Sequence, residues 1–215
     1  MTDNFDAIKA YINLCDPDFD ENEDKYYTVE IIQRKKDNPD NPLVKSQHSV
    51  KLYYMNRLDD FDRYRDEIVT LCNVFNARAY MSVNCRSYEQ VTKNAMVEMA
   101  TRIANEDYRK PYAVYQSCSA KYVNSQDKRW LIDVDKEDAE GIPLSIEEFT
   151  KRIIDAIEKE CEPKRKIITV IDSCSGRHII THPFNTTQFI DRLSDYYTST
   201  DVIKKNAMTI LYSAK

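Results

Sequence analysis

In Arg129-Trp130-Leu131-Ile132-Asp133-Val134-Asp135, an apolar strand signal ends in two carboxylates. Because side chains on a strand alternate between its two faces, Asp133 and Asp135 share one face, with Cα atoms roughly 7 Å apart. Two like charges so placed raise each other's pKa and reduce stability unless a positive group lies between them. A hard divalent cation with oxygen ligands is one such group. The alternative is a solvated turn entry that Lys128 and Lys136 neutralise.

Two further strands and a tight turn follow downstream. Residues 166–172 and 177–182 each carry an apolar run typical of a buried strand. The turn between them holds Gly176, one of only 2 glycines in 215 residues, and glycine permits a positive φ or a close approach to a ligand. Donors that suit a phosphate group are the turn amides and the side chains of Ser175, Arg177 and His178. The alternative is an ordinary hairpin turn with a surface histidine.

The two motifs together resemble those of the archaeo-eukaryotic primase superfamily, which includes the primase-polymerases. The matching residues are Asp133-Val134-Asp135 and Ser175-Gly176-Arg177-His178, and the resemblance extends over residues 78–215. It implies that Asp133 and Asp135 are catalytic and hold divalent metal, Mg²⁺ or Mn²⁺. It also implies that Ser175, Gly176, Arg177 and His178 bind the triphosphate of the incoming nucleotide.

A third motif of the family is an acid near a later strand, which completes the metal site. Its best match is Asp201, which precedes the terminal apolar strand over residues 208–212. The resemblance therefore implies that Asp201 is a third catalytic and metal-binding residue. Asp191 and Asp195 lie in the same region, but they fall in a predicted helix over residues 189–196 and are expected to be exposed helix acids.

The expected fold class is α/β (α+β), with a mixed sheet flanked by helices. The resemblance implies a primase-polymerase-like catalytic core over residues 78–215. The N-terminal helix, β-hairpin and helix of residues 1–77 are expected to pack on this core in one compact domain. Apolar periodicity and turn signals predict helices over 5–14, 58–75, 88–105 and 145–161, and strands over 26–33, 49–55, 78–84 and 112–115.

Two of the predicted helices begin with a capping signal. Ser87 is placed to cap the helix over residues 88–105, and Ser145 with Glu148 forms a capping box. The apolar stripe expected to face the sheet from the helix over residues 88–105 consists of Val91, Ala95, Met99 and Ile103.

Composition and charge limit the kind of partner. Hydrophobic residues make up 42% of the chain, and no apolar run approaches the roughly 20 residues that cross a bilayer. Residues 1–6 lack the basic and apolar regions of a signal peptide, so we expect a cytoplasmic protein with no membrane partner. The net charge of -5 counts against a strong nonspecific nucleic-acid binder. Six of the acids lie within residues 16–24, which leaves room for a local basic groove elsewhere.

Basic and aromatic residues for such a groove are scattered through the chain. The candidates for phosphate contacts are Arg78, Arg86, Lys93, Lys121, Lys128, Arg129 and Arg177. The candidates for stacking on the bases of a single strand are Tyr80, Tyr112, Tyr115 and Tyr122. The alternative for each of them is a surface charge or a tyrosine at the edge of the core.

The cysteines show no zinc-binding pattern. The 6 cysteines are Cys15, Cys72, Cys85, Cys118, Cys161 and Cys174. They form no C-x-x-C pair and no cluster with histidine, so we expect thiols that are mostly buried. Cys174 lies in the predicted phosphate turn, where a nucleophilic thiol near His178 is the alternative, although no motif assigns it a reaction.

These inferences lead to one principal hypothesis and two alternatives. The principal hypothesis is a DNA primase or DNA-directed polymerase, a nucleotidyltransferase that adds nucleoside triphosphates on a single-stranded DNA template by a two-metal mechanism. The sequence holds no nucleotide-binding P-loop, so any helicase for DNA replication is expected to be a separate protein. The first alternative is a catalytically degenerate primase fold that binds nucleic acid or nucleotide, because Lys204 and Lys205 are the only basic residues near Asp201. The second is a metal-dependent nuclease, which leaves the turn with Ser175 and His178 unexplained.

Overall fold

Seven α-helices and ten β-strands make up the part of the chain that the structure describes. This computed structural model describes residues 1–122, 128–135, 145–159, 166–196 and 200–214. The helices are α1 Phe5–Cys15, α2 Leu58–Arg63, α3 Arg65–Val74, α4 Tyr88–Ala104, α5 Ala113–Lys121, α6 Ile146–Lys159 and α7 Thr186–Arg192. The strands are β1 Thr2–Asp3, β2 Lys25–Arg34, β3 Gln47–Met55, β4 Arg78–Ser82, β5 Arg86–Ser87, β6 Trp130–Asp135, β7 Ile167–Asp172, β8 Gly176–Thr181, β9 Ile203–Lys204 and β10 Met208–Ser213.

The described strands form two antiparallel sheets. In the large sheet the strand order is β1-β10-β4-β2-β3, and β5 pairs with the start of β2. The small sheet has the order β7-β8-β6-β9. The mixed α/β class is confirmed, but the prediction of one mixed sheet is wrong, because each of these pairings is antiparallel. Periodicity predicts which residues form strands and not which strands pair, and a short turn such as that between β7 and β8 favours antiparallel neighbours.

The predicted hairpin is present and belongs to the large sheet. β2 and β3 pair with Tyr27 opposite Met55 and Arg34 opposite Gln47. β2 also pairs with β4, which in turn pairs with β10. Strands from residues 1–77 and strands from residues 78–215 therefore share one sheet.

Helices α1, α2 and α3 cover one face of the large sheet. α1 presents Phe5, Ile8 and Ile12 to the core, as their helical spacing predicts. Val29 and Ile31 of β2 belong to the same apolar cluster. Because side chains alternate along β2, its other face is free to contribute to a binding surface.

The side chains of β6 alternate between two environments. Ile132 and Val134 are fully buried in a second apolar cluster with residues of α6 and α7. Leu131 belongs instead to the cluster of the large sheet. Asp133 and Asp135 share the face of Leu131, so they turn toward the large sheet and away from α6 and α7.

Asn4 connects the two sheets where they meet. Its Nδ2 donates to the carbonyl oxygens of Asp172 in β7 (2.8 Å) and Ile210 in β10 (3.0 Å). Its backbone N–H donates to the carbonyl oxygen of Leu211. Asn4 is buried, so these bonds hold β7 against β10 and fix the small sheet relative to the large one.

Both predicted helix caps are confirmed. Ser87 Oγ accepts a hydrogen bond from the backbone N–H of Gln90 (3.0 Å). Ser145 Oγ accepts from the Glu148 N–H, and the Glu148 carboxylate accepts from the Ser145 N–H (2.9 Å). The predicted end of this helix near residue 161 lies outside the described residues.

Three local predictions differ from the structure. Residues 113–121 form α5 and not a strand, since packing of Val114 and Cys118 in a small core with α4 outweighs the strand preference of valine and tyrosine. The predicted helix over residues 58–75 is interrupted at Tyr64, between α2 and α3. Ile103 is exposed, whereas Val91 is buried as expected. In the described part of the chain, no helix combines the length and apolar character that a bilayer crossing requires.

Candidate functional site

A cleft between the two sheets contains the acid pair. It has a volume of about 350 Å³, and Asp133 and Asp135 line it together with Leu131. Arg78 and Tyr80 of β4 line its opposite side. The alternation along β6 that the sequence predicts thus brings both carboxylates to one concave surface.

His178 contacts Asp133 through one ring nitrogen and Thr209 through the other. β8 pairs with β6 so that His178 is opposite Asp133, and His178 Nε2 lies 3.4 Å from Asp133 Oδ1. Its Nδ1 lies 2.9 Å from Oγ1 of the buried Thr209 in β10. The hydrogen bond from His178 lowers the pKa of Asp133, against the opposing effect of burial, and the charges of His178, Lys204 and Arg34 add to this lowering. Asp133 is therefore held as a carboxylate.

Ser175 makes the corresponding contact to the second acid. Ser175 Oγ donates to Asp135 Oδ1 (2.7 Å). The turn itself is closed by the Ser173 N–H, which donates to the Gly176 carbonyl oxygen, and by the Gly176 N–H, which donates to Ser173 Oγ (both 2.9 Å). The turn and the start of β8 therefore supply one positioning contact to each carboxylate of β6.

Gly176 is required by the approach of β8 to β6. A Cβ atom at this position would lie 1.9 Å from the carbonyl oxygen of Val134, which no side chain tolerates. The sequence predicts a positive φ or a close approach to a ligand. The structure gives a different reason, because the close neighbour is the backbone of the strand that carries the acids.

Arg177 points away from the cleft. Its Nη2 lies 3.2 Å from Glu147 Oε1 of α6, and its Nε lies 3.3 Å from Asp172 Oδ1. Because Arg177 and His178 are consecutive on β8, they face opposite sides of the small sheet. Of the four residues predicted to bind a triphosphate, only Ser175 and His178 line the cleft.

Asp201 lies in a short 3₁₀ turn, Thr200–Val202, just before β9. It is exposed and is not among the residues that line the cleft. Lys204 lines the cleft from this side, and its Nζ donates to the carbonyl oxygen of Asp201. Asp191 is exposed on α7, as predicted, and Asp195 is exposed just after that helix. Within the described ranges, no group of three or more histidine, cysteine, aspartate or glutamate side chains is arranged to hold a metal ion.

Three cations that line the cleft opposite the acid pair come from the side of β2 and β4: Arg34, Lys36 and Arg78. Lys204 also lines the cleft, but it lies on the same sheet as the acids, because β9 pairs with β6. Arg34 Nη1 donates to Tyr80 Oη (3.2 Å), and Arg78 Nη2 donates to Asp37 Oδ1 (2.6 Å). No sequence motif marks Arg34 or Lys36 as part of a site, although they belong to the basic triplet Arg34-Lys35-Lys36 at the end of a predicted strand. Only the pairing of β2 with β4 brings them beside Arg78.

Two of the arginines proposed for phosphate contacts are structural. Arg129 is buried and contacts Asp16, Tyr27 and Cys15. Arg86 is also buried, and its guanidinium donates to the carbonyl oxygens of Ser119 and Asn84 and to Asn206 Oδ1. Lys93, Lys121 and Lys128 are exposed and lie outside the cleft lining. Among the four tyrosines proposed for stacking, Tyr80 lines the cleft, while Tyr115 packs in the small core between α4 and α5.

A second groove adjoins the cleft along the open face of the large sheet. It has a volume of about 360 Å³ and shares Asn206 and Met208 with the cleft. Most of its other lining side chains are uncharged, with Glu30 and Arg86 as exceptions; they include Thr28, Ser49, Leu52, Ser82, Gln116 and Ser119. A charged compartment is therefore continuous with a largely neutral one.

The described cysteines carry thiols and no disulfides. They are Cys15, Cys72, Cys85, Cys118 and Cys174, and Cys161 lies outside the described residues. Cys174 lines the cleft, and its Sγ lies 4.0 Å from Thr2 Oγ1 as a weak acceptor. Burial raises the pKa of Cys72 and of Cys85 to about 12, so these two are protonated structural thiols.

No protein-family model, no curated protein and no solved structure matches this chain. The described residues define a mixed α/β protein in which two antiparallel sheets enclose a cleft. Two positioned carboxylates and Lys204 line one side of this cleft, and three cations line the other.

Proposed function

We propose that the cleft binds the phosphates of a nucleoside triphosphate and that the protein is a nucleotidyltransferase of the primase-polymerase type. In this proposal it adds nucleotides on a single-stranded DNA template. The observation that carries the proposal is the opposition of Asp133 and Asp135 to a cationic wall, formed by Arg34, Lys36 and Arg78, across one cleft. A carboxylate pair alone repels phosphates, and cations alone give only binding. Both together suit phosphoryl transfer, in which positioning and charge neutralisation provide most of the rate enhancement.

The cationic wall and Lys204 account for recognition of the phosphates. Arg34 and Arg78 offer planar guanidinium donors, which match phosphate oxygens in pairs, while Lys36 and Lys204 add point charges. Tyr80 holds Arg34 through its hydroxyl, and Asp37 holds Arg78. The arginines are therefore pre-positioned, which lowers the entropy lost on binding.

Asp133 and Asp135 fit Mg²⁺ or Mn²⁺. Hard divalent cations take carboxylate oxygens, and Mg²⁺ in nucleotide enzymes typically uses one or two carboxylates together with the substrate phosphates. Such an ion supplies neutralisation of phosphate charge and activation of the attacking hydroxyl. The third predicted ligand, Asp201, lies outside the cleft lining. The proposal therefore rests on two carboxylates.

His178 and Ser175 position these carboxylates. His178 Nε2 lies 3.4 Å from Asp133 Oδ1, and Ser175 Oγ donates to Asp135 Oδ1 at 2.7 Å. A carboxylate has two oxygens and about four lone-pair sites, and both acids line the cleft, where a ligand can reach them. The same contacts oppose mutual repulsion of the two acids.

The uncharged groove beside the cleft suits the nucleoside part of the substrate. A phosphate group is anionic and needs the cations, whereas sugar and base present hydroxyls, amides and an apolar ring face. The groove is lined mainly by hydroxyl, amide and apolar side chains and is continuous with the cleft through Met208 and Asn206. A nucleotide that occupies both the cleft and the groove has its anionic phosphates in the cleft, where the protein provides cations.

The test is extension on a single-stranded DNA template, with and without a primer, in Mg²⁺ and in Mn²⁺. We expect Asp133→Ala with Asp135→Ala to abolish incorporation while the circular dichroism spectrum stays that of the wild type. The matched control is Glu147→Ala with Asp172→Ala, which removes two acids that contact Arg177 outside the cleft. Asp201→Ala is expected to retain most of the incorporation, because this exposed acid does not line the cleft. Full activity in the Asp133/Asp135 double variant would refute the assignment.

One observation favours a second candidate function, nucleotide binding without turnover. The cleft contains two of the three acids that the resemblance implies. Nucleotide binding that survives in a protein with no metal-dependent incorporation supports this candidate. Loss of that binding in Arg34→Ala with Arg78→Ala identifies the same cleft as the binding site in either case.

A further inference from the structure

Helix α4 has two apolar faces, and only one of them is packed. On the inner face, Val91 is buried, and Ala95 and Met99 pack in the small core with α5. On the outer face, Met96 is 70% exposed, Val97 is 67% exposed and Ile103 is 54% exposed. Large apolar side chains that cluster in solvent mark interaction sites more often than chance.

The outer apolar residues form a continuous stripe. They are Met96, Val97, Ala100, Ile103 and Ala104, all of them exposed. At about 100° per residue these positions fall within an arc of roughly 120° on the helix surface. The spacing i, i+1, i+4, i+7 and i+8 is that of a helix face that packs on another helix. We define these five residues as the α4 stripe.

We propose that the α4 stripe is the contact surface of a homodimer in which α4 packs antiparallel against α4 of a second copy, with Ala100 at the two-fold axis. Two-fold interfaces use the same patch on both subunits, so the patch must complement itself when its direction is reversed. About Ala100, Met96 comes opposite Ala104 of the partner subunit, and Val97 comes opposite Ile103 of the partner subunit. A large side chain meets a small one at the first pair, and two small residues at the axis permit close approach of the helices.

Charges of opposite sign flank the two ends of the stripe and favour a second copy, in the antiparallel direction, as the occupant. Lys93, which pairs with Glu89 on the same helix, lies at one end of the stripe. Glu106 and Asp107 follow the other end, and Asp107 pairs with Arg109. Reversal about Ala100 places Lys93 beside these acids of the partner subunit, where the C-terminal end of a helix also favours a cation. Glu89 likewise comes toward Arg109 and Lys110 of the partner subunit. A parallel pair would instead place Lys93 against Lys93 and Glu89 against Glu89.

The proposed interface is separate from the cleft. α4 and α5 pack together around Val91, Val114 and Cys118, and no residue of α4 lines the cleft. Both cleft and adjoining groove therefore remain open in the dimer. The inference does not depend on the proposed nucleotidyltransferase function, and its test requires no activity.

Sedimentation velocity over a series of protein concentrations tests the dimer. We expect a species of twice the 25.3 kDa chain mass to grow with concentration. Val97→Asp with Ile103→Asp buries unpaired charges at the interface and is expected to raise the dissociation constant at least about tenfold. The matched control is Leu14→Asp with Val74→Asp, which changes two comparably exposed apolar residues on other helices and should leave the dimer intact.

Cysteine cross-linking tests the register. A cysteine at the two-fold axis lies close to its own counterpart, so Ala100→Cys should give a disulfide-linked dimer under mild oxidation. Thr101→Cys, one residue further around the helix, should not. The oxidised wild type shows the background from native thiols. A wild type that stays monomeric at every concentration overturns the proposal and assigns the face to a different partner. A dimer that survives the double aspartate variant, or that cross-links at residue 101 and not at 100, overturns it as well.

Discussion

The two ends of β6 carry charged clusters that are built in opposite ways. Just before the strand, Arg129 is 3% exposed, and its Nη1 lies 2.8 Å from Asp16 Oδ2 and 3.0 Å from Tyr27 Oη. Near the end of the strand, Asp133 is 40% exposed and lies in the cleft with Asp135. In the first cluster, the charged and polar groups form hydrogen bonds and ion pairs with one another inside the protein. The second places its carboxylates on the surface of a cleft, where a ligand can reach them.

The pKa values of Asp16 and Asp133 allow the same comparison of the two clusters. Burial raises the pKa of Asp16, but hydrogen bonds and charge from Arg129, with a hydrogen bond from Tyr27, lower it overall. Burial raises the pKa of Tyr27 well above its ordinary value. Asp133 also has a lowered pKa, mainly through the hydrogen bond from His178. Both acids are ionised at neutral pH, so the two carboxylates differ in exposure and not in ionisation: one lies inside the core and one beside solvent.

The largest expected effect is loss of stability on breaking the buried cluster. Arg129→Met leaves the buried Asp16 carboxylate with only the more distant Lys25 Nζ, 3.4 Å from Oδ1, as its cation, and should reduce the free energy of unfolding by about 3 kcal/mol. Asp133→Asn changes a partly exposed acid of the cleft and should alter it by less than about 1 kcal/mol. Urea unfolding of both variants, followed by circular dichroism, measures the two values. Equal losses would remove the distinction between the two ends of β6.

The sequence predicts the open cluster better than the buried one. Alternation along β6 places Asp133 and Asp135 on one face, and a short turn with Gly176 brings β8 next to β6. Both features follow from local sequence patterns, so the sequence can predict them. Alternation along β8 also predicts that Arg177 and His178 face opposite sides, although the resemblance assigned both to the triphosphate.

Contacts between distant parts of the chain account for what the sequence could not predict. Arg129 meets Asp16 across 113 positions, and Arg34 reaches the cleft only because β2 pairs with β4. Strand order determines both, and apolar periodicity carries no information about strand order. A buried arginine and an arginine that lines a cleft are the same letter in the sequence, and only the fold distinguishes them.

A smaller effect is expected when the support of His178 is removed. Thr209→Val keeps the shape of the side chain but deletes the hydroxyl that lies 2.9 Å from His178 Nδ1. The ring then loses one positioning hydrogen bond, worth up to about 1.4 kcal/mol, so incorporation in the template assay should fall by up to about tenfold.

Thr209→Ser is the matched control for this change. It retains the hydroxyl and should retain most of the incorporation. If valine and serine have the same effect, the loss comes from packing in β10 and not from the orientation of His178. An unchanged rate in Thr209→Val would instead mean that Asp133 needs no oriented histidine.

The smallest expected effect is a difference in pH dependence between the two ends of β6. Since the pKa of Asp16 is lowered on folding, its ionised form stabilises the protein above the unfolded value of about 3.9, and this stabilisation is lost as the pH falls through the folded value. Asparagine does not titrate. The difference in the free energy of unfolding between the wild type and Asp16→Asn is the gap of interest, and it should therefore narrow as the pH falls below about 4. The gap for Asp133→Asn should narrow in the same direction but less, because solvent screens this partly exposed acid. Urea unfolding at a series of pH values measures both gaps, and a larger narrowing for Asp133→Asn would show that the cleft acid, and not the buried one, is more tightly coupled to folding.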